Sequence, residues 1–335
     1  MYISRRTFLK FTGLAAGAAF LPANPPDEWL AHEQLFGRAI KLVNVYARPS
    51  VDADRGRKIP GESVFPIVAQ VLGEDPQHYN RLWYRVADGF VYSGQVQPVR
   101  WHWQPASLVI PKGGLLGEIT LPYTTARTGP YDDWNALYRL YYSTTVWIIN
   151  ARQVDGEVWY QLFDERLQRD GWVRAEHVRL VPGDELTPLA PNADKRIEVN
   201  LEKQTFECFE DGRRVLATLC STGPYLRTEN GQRIFGTPSG EHNINRKRLT
   251  RHMAGDDFAA EDFFDLPGVP WVSYFHWWGV SIHGTYWHND YGKPHSHGCV
   301  NLTATCAKWV YRWTMPKPVL SDRQVEGQGT QVVVY

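Results

Sequence analysis

The chain of 335 residues is poor in cysteine, with Cys208, Cys220, Cys299 and Cys306 widely spread and no Cys-x-x-Cys pair. That spread rules out a disulfide-built scaffold. Neither sign of charge is in excess: 36 Lys plus Arg balance 36 Asp plus Glu, for a net charge of zero. The basic footprint of a general nucleic-acid binder is therefore missing. The apolar run Phe11 to Leu21 is too short for an ordinary membrane span. With 21% charged and 43% apolar residues, the composition is that of a globular protein and not of a disordered one. What the chain has in quantity is aromatics, 14 Trp and 17 Tyr. These suit β-rich domains and saccharide or peptide surfaces. The length predicts about two domains, with room for three small ones.

The first segment reads as an address. Ser4-Arg5-Arg6-Thr7-Phe8-Leu9-Lys10 precedes the short, weakly apolar run and Pro22. A basic start, a short apolar stretch and a following break form a signal-peptide pattern. The paired arginines followed by Phe8 and Leu9 resemble the twin-arginine export signal. Export places the mature protein outside the cytoplasmic membrane, in the periplasm or cell wall. No clean Ala-x-Ala motif precedes Pro22, so retention of the signal as an anchor stays open, and that is the one membrane contact expected. Residues 1–34 are assigned to this signal and a Pro-rich stalk.

Two weakly similar segments follow. The first runs through Tyr46-Ala47-Arg48-Pro49, Leu82-Trp83-Tyr84-Arg85-Val86 and Gly89-Phe90-Val91-Tyr92, ending in Val96 to Val99. The second runs through Thr125-Ala126-Arg127-Thr128, Val158-Trp159-Tyr160-Gln161-Leu162 and Gly171-Trp172-Val173-Arg174, ending in Val178 to Val181. Two copies in the same order indicate a duplicated domain and not a solenoid. Short β-branched and aromatic runs separated by turn residues predict a small β-barrel in each. The pattern resembles bacterial SH3-like domains, assigned to 35–105 and 106–182. Trp83, Trp159 and Trp172 are expected either as core residues or as part of a wall-binding pair. Residues 183–194 read as a linker from Pro182, Gly183, Pro188 and Pro191. The last domain, 195–335, opens with alternating Ile197, Val199 and Leu201. A hairpin follows, centred on Asp211-Gly212, which sets Cys208 opposite Val215. The chain closes on a strand at Thr330 to Tyr335.

Five of the eleven histidines lie between 276 and 297. Ser281-Ile282-His283-Gly284-Thr285 is followed by an irregular polar loop and then by His295-Ser296-His297-Gly298-Cys299-Val300-Asn301. A helix capped by Thr303 or Asn301 is expected next, with Cys306, Trp309, Val310 and Trp313 on one face. That order predicts Cys299 just ahead of a helix N-terminus, where the dipole and a flanking imidazole lower a thiol's pKa. A thiolate nucleophile with a histidine to hold and return its proton is the chemistry this implies. Gly298 allows close backbone approach, so that the Cys299 amide helps form an oxyanion hole. Other readings remain open here. His283, His295, His297 and Cys299 could bind zinc if the alternating residues share a strand face. Cys299 could be an inert buried thiol, and His276, His288 or His295 could be structural.

Ser296-His297-Gly298-Cys299-Val300-Asn301, with Ile282-His283-Gly284-Thr285 sixteen residues before the cysteine, resembles the signature of YkuD-type L,D-transpeptidases. Ser221-Thr222-Gly223 and Thr237-Pro238-Ser239-Gly240 resemble that family's next strand end and its Thr-Pro-x-Gly turn. The resemblance implies a mainly β chain, with two SH3-like barrels followed by a β-sandwich catalytic domain carrying a short helix after the cysteine. It implies Cys299 as nucleophile and His283 as base and later acid, with the Gly284 carbonyl orienting the imidazole. Ser296, His297 and Gly298 would shape the nucleophile turn and its oxyanion hole, while Tyr274 and Asn301 would contact substrate. No metal and no cofactor is implied. The expected reaction cleaves D-Ala from a peptidoglycan tetrapeptide stem through an acyl-cysteine and forms a 3→3 crosslink. The alternatives are an L,D-carboxypeptidase using the same site and a non-catalytic wall-binding protein. Many members carry Arg where this chain has Asn301. The basic-then-acidic stretch Arg246 to Leu266 reads as a solvated insertion or a lid.

Overall fold

A computed structural model describes residues 35–224, 236–255, 264–319 and 322–335. The export signal and the stalk lie outside these residues. So do Asp256, Asp257, Glu261 and Asp262 of the acidic half of the 246–266 stretch.

The described chain is mainly β and falls into three packed units. In the first, Phe36–Ala39 is the middle strand of a three-stranded sheet, and Val43–Tyr46 lies in a five-stranded one. Period-2 alternation explains the second strand, since Val43 and Val45 point in while Asn44 and Tyr46 are half-buried. Val43, Tyr84, Val91 and Val96 share one small core, and Trp83 is buried beside it. The second unit is a seven-stranded sheet around Ile148, Tyr160, Leu162 and Val173. Each unit ends with a strand, a single 3-10 turn (Ser93–Gln95 or Ala175–His177) and a last short strand. Trp159 is buried, whereas Trp172 is only half-buried.

The C-terminal unit is two five-stranded sheets. Its elements are β1 (Lys195–Asn200), β2 (Thr205–Glu210), β3 (Arg213–Leu219), β4 (Gly240–Asn243), β5 (Arg246–Ala254), β6 (Asp265–Tyr274), β7 (Ser281–Thr285), β8 (Val300–Thr303), α1 (Ala304–Trp313), β9 (Gln324–Glu326) and β10 (Gln331–Val334). One sheet has the order β3-β2-β1-β10-β4 and the other β8-β7-β6-β5-β9. Ile197, Val199 and Phe206 from the first meet Trp271, Ile282, Val300 and Leu302 from the second, together with the buried face of α1. The Thr303 side chain caps α1 by accepting from the Cys306 N–H at 3.2 Å. At the other end, the buried Lys247 ammonium donates to the carbonyls of Tyr311, Thr314 and Pro316 at 2.5, 3.0 and 2.8 Å. These bonds satisfy carbonyls left free at and beyond the helix end, and burial pushes Lys247 well below the usual lysine range.

Three sequence expectations change. A bulge between Cys208 and Phe209 inserts one residue into the partner strand, so Cys208 faces Leu216 and not Val215. Arg246–Ala254 is neither a lid nor a solvated insertion: it is β5, paired with β6 and β9, with Lys247, Leu249 and His252 buried. Its charges were misread because their partners come from elsewhere. Arg248 and Arg251 share Glu165, and His252 lies between Asp164 and Asp265. The stretch 183–194 is packed, with Leu186 buried in the C-terminal core and Leu189 against it. Pro and Gly there shape a turn that docks.

The three units meet at Arg38, which is 2% exposed. Its guanidinium bonds Gln97 at 2.9 Å and Glu62 at 2.8 Å, and donates to the Tyr286 carbonyl at 2.6 Å. It also lies 4.0 Å from the centroid of the Tyr141 ring. Replacing Arg38 with Ala leaves buried acceptors from two units unpaired. The expected loss is on the order of 2–4 kcal/mol, measured as a lowered midpoint of urea unfolding. Arg139→Ala, which removes the exposed partner of Glu62, should cost under about 1 kcal/mol.

Candidate active site

The site is built on a parallel strand pair. β7 and β8 run side by side with Ile282 opposite Val300, His283 opposite Asn301 and Gly284 opposite Leu302. Alternation sends Ile282, Val300 and Leu302 into the core under α1. The same alternation sends Ser281, His283, Cys299 and Asn301 to the opposite face. Extending the register by one pair sets Cys299 beside Ser281, and their side chains meet at 3.5 Å (Sγ to Oγ). His283 lies diagonally across from Cys299, at a Cα separation of about 8 Å from strand geometry. Among the described residues no hydrogen bond joins the sulfur to His283. Gly284 is required because a Cβ there would stand 2.8 Å from the Ala304 Cα. The row continues through the sheet, with Tyr274 opposite Ser281 and Arg246 opposite Tyr274. The Arg246 guanidinium carbon lies 4.2 Å from the Tyr274 ring centroid. Tyr274, Ser281 and Cys299 thus form one line across the face.

The turn before Cys299 is held from several sides. Gly298 has φ +125°, which favours glycine. Its N–H donates to Ser296 Oγ at 3.1 Å, and the Ser296 hydroxyl donates to the Cys299 carbonyl. Thr237 Oγ1 donates to the Gly298 carbonyl at 2.7 Å and accepts from the Gly223 N–H at 2.9 Å. The N–H groups of His295 and Ser296 both reach the Thr222 carbonyl, at 3.0 and 3.2 Å. Ser221 and Asn301 bridge through both backbone groups, at 3.1 and 2.8 Å. The sequence motif named Thr222 and Thr237 without a role, and Ser281 escaped the candidate set. The signal for Ser281 was its place two residues before His283 on the same strand face.

Electrostatics here are set by burial. His283 is 2% exposed, and its burial pulls the imidazole down to about 4. Its Nδ1 lies 3.1 Å from the Gly284 carbonyl, so Nδ1 carries the proton and Nε2 is the free base. Burial pushes the half-buried Cys299 thiol up, and the contacts with Ser281 offset only part of this. This overturns the expectation of a thiolate at a helix N-terminus. The four-residue strand β8 separates Cys299 from α1, and the imidazole beside it is neutral. At rest the pair is a thiol and a neutral base.

The remaining candidates separate. Asn301 is 1% exposed; Nδ2 meets His288 Nε2 at 2.9 Å, while Oδ1 is buried with no partner among the described residues. Tyr274 is buried, and its phenol is raised by that burial despite Arg251, Arg248 and Arg246 nearby. His297 is exposed, with its ring 4.9 Å from Phe264. His295 stacks on His288 at 4.6 Å and reaches Asp290 at 3.2 Å. The zinc reading needed an extended strand through His295, His297 and Cys299. That segment is bent and forms no strand, so the shared face the alternation required is missing. Among the described residues no three His, Cys, Asp or Glu are grouped to hold a metal.

A thiol and a neutral imidazole on one face, with a glycine-shaped turn under the thiol, can perform nucleophilic acyl transfer with general-base assistance. Residues 194–334 match the family model of the L,D-transpeptidase catalytic domain, YkuD. Among solved structures, an L,D-transpeptidase from Enterococcus faecium, determined as a cysteine-to-serine mutant, is 24% identical over 42% of this chain and 50% of that one, with a TM-score of 0.32. This chain therefore spans about half the length of that enzyme. An L,D-transpeptidase from Mycobacterium smegmatis is 16% identical over 55% of this chain and 98% of that one, with a TM-score of 0.34. L,D-transpeptidase 3 from Mycobacterium tuberculosis, determined with a faropenem-derived adduct, is 17% identical over 55% and 76%, with a TM-score of 0.31. No curated protein matches the chain with significance.

Burial raises the Cys299 thiol, so its thiolate is scarce near neutrality. Alkylation of Cys299 by iodoacetamide should therefore keep accelerating through pH 9, followed by peptide mapping with Cys299→Ala as blank. Ser281→Ala removes a thiolate donor and should slow it several-fold at pH 8.5. An inflection below pH 7 would instead indicate a preformed thiolate–imidazolium pair.

Proposed function

We propose that this protein is an exported cysteine L,D-transpeptidase acting on peptidoglycan stem peptides. The observation that carries the reading is the placement of Cys299 and His283 on one face of adjacent parallel strands, within the segment that matches the catalytic-domain model. Cys299 Sγ attacks the carbonyl that precedes the terminal D-Ala of a tetrapeptide stem. His283 Nε2 takes the thiol proton while Nδ1–H stays on the Gly284 carbonyl. For this, Sγ leaves the Ser281 hydroxyl and turns toward His283, a change of one χ1 rotamer. The Cys299 amide, beside Gly298, stabilises the tetrahedral oxyanion. His283 returns the proton to the departing D-Ala amine, leaving an acyl-thioester. The side-chain amine of a second stem then attacks, His283 takes its proton, and the released thiol is reprotonated as the 3→3 crosslink forms. Tyr274, in line with Ser281 and Cys299, borders the donor's path, and the buried Asn301 supports that face from beneath through His288. The export signal and the paired N-terminal units, read as SH3-like, fit a protein of the cell wall.

The resting protonation state shapes the pH profile. Because His283 titrates near 4, kcat/KM should fall on the acid side only as pH drops toward 4. The same shift affects stability. The folded protein favours the neutral ring, so this contribution is complete above the unfolded value near 6.5 and is lost as pH falls through 4.

Purified protein incubated with a tetrapeptide stem should release D-Ala and gain a stem-sized mass on Cys299. Cys299→Ala should abolish release, and His283→Ala should lower turnover by about 10²–10⁴-fold. Added free amine diverts product only from a transferase, so unchanged product would identify a carboxypeptidase. Release surviving in Cys299→Ala would overturn the mechanism.

A further inference from the structure

Parallel strands cannot be joined by a tight turn. The chain from Thr285 on β7 to Cys299 before β8 is therefore a long connection carrying no regular element. It is nevertheless buried over Tyr286 and His288 to Tyr291, and the first β unit buries much of it. Asp290 is the centre. Its Oδ1 accepts from the hydroxyls of Tyr79 and Tyr92, each at 2.7 Å. Its Oδ2 meets His295 Nε2 at 3.2 Å and Lys293 Nζ at 2.5 Å. Next to it, the Asn289 N–H donates to the Gly94 carbonyl, and Nδ2 lies near Tyr84 Oη and the Ser93 carbonyl, all at 3.3 Å. The fit is close: a Cβ on Gly94 would stand 2.5 Å from Asp290 Oδ1.

A contiguous set of contacts runs from Asp290 to the cleft. The Asp290 N–H donates to His288 Nδ1 at 3.3 Å, and His288 Nε2 meets the Asn301 amide at 2.9 Å. Asn301 is the register partner of His283 and lies two residues beyond Cys299. A second branch runs from the Ser221 hydroxyl, which donates to the Asp290 carbonyl at 3.3 Å, to the backbone bridge between Ser221 and Asn301. Although burial opposes its charge, these donors hold the Asp290 carboxyl well below the usual carboxylate range.

We propose that the first β unit is an integral part of the active site, with Asp290 as a positioning residue through which Tyr79 and Tyr92 fix the loop that orients Cys299 and Asn301 relative to His283. On this view that face of the unit is committed to the cleft and is not a free wall-binding surface. The inference rests on Cys299 and His283 being the reacting pair, and its test separates the two ideas.

The variant is Tyr79→Phe/Tyr92→Phe in the full chain, which removes two hydroxyls and keeps both rings. With the brace lost, kcat for the tetrapeptide stem should fall at least tenfold while KM stays within about threefold. Iodoacetamide labelling at pH 8.5 should meanwhile speed up at least fivefold at Cys299 alone, because a loosened turn lets water reach the sulfur. General unfolding would instead label Cys208, Cys220 and Cys306 as well, and that result overturns the proposal. So does a variant whose kcat and Cys299 labelling both stay within twofold of the parent. Asp290→Asn keeps an acceptor for both hydroxyls and should lose less activity than the double variant; the reverse order also overturns the proposal. Arg57→Ala, on the exposed Asp88 pair of the same unit, should leave both readouts unchanged. If the parent does not turn over the stem, the transpeptidase reading fails by itself, and the Cys299 labelling still decides the brace.

Discussion

The parallel pairing of β7 with β8 is the constraint from which the rest of the site follows. It fixes which side chains share a face: Ser281, His283, Cys299 and Asn301 on one side, Ile282, Val300 and Leu302 on the other. The apolar side is buried under α1, so neither strand can slip by one residue without turning its polar set into the core. The same geometry demands a long connection between His283 and Cys299. A loop of that length has no ladder of its own, and its order comes from what packs on it. Here that is the first β unit from one side and the strand ends at Thr222 and Thr237 from the other.

Burial governs the chemistry as well as the packing. In this cleft both neutral forms are favoured, because each ion lacks water. The sulfur is parked against the Ser281 hydroxyl, and His283 has one nitrogen committed to a backbone carbonyl and one left free. Burial also opposes the charge of the interior basic side chains, and hydrogen bonding holds them in place. Arg38 and Lys247 are buried because each is surrounded by acceptors, and both tie elements together that no sheet joins.

The legible parts were those written in short-range patterns. Alternation exposed the strand around Ile197, Asp211-Gly212 placed a turn, and Thr303 marked the start of α1. The histidine motif falls on β7 and the cysteine motif runs into β8. The errors came where partners are distant. Arg246 to Ala254 looked solvated because Glu165 and Asp164, more than eighty residues away, could not be seen to meet it. The segment after Pro182 looked like a linker because the pocket that holds Leu186 belongs to another unit. Cys299 was set next to a helix because four residues of strand carry no composition signal against a helical start.

Residue order was enough for the class of architecture, the turn chemistry and the identity of the nucleophile and base candidates, because each depends on neighbours within a few positions. Folding supplied the remainder. The protonation state of Cys299 and His283, the part played by Ser281, and the grip of Tyr79 and Tyr92 on Asp290 all arise from burial and from contacts between residues far apart in the chain. Desolvation and hydrogen bonding act through space, so they acquire a sign and a size only once the three units have closed on one another.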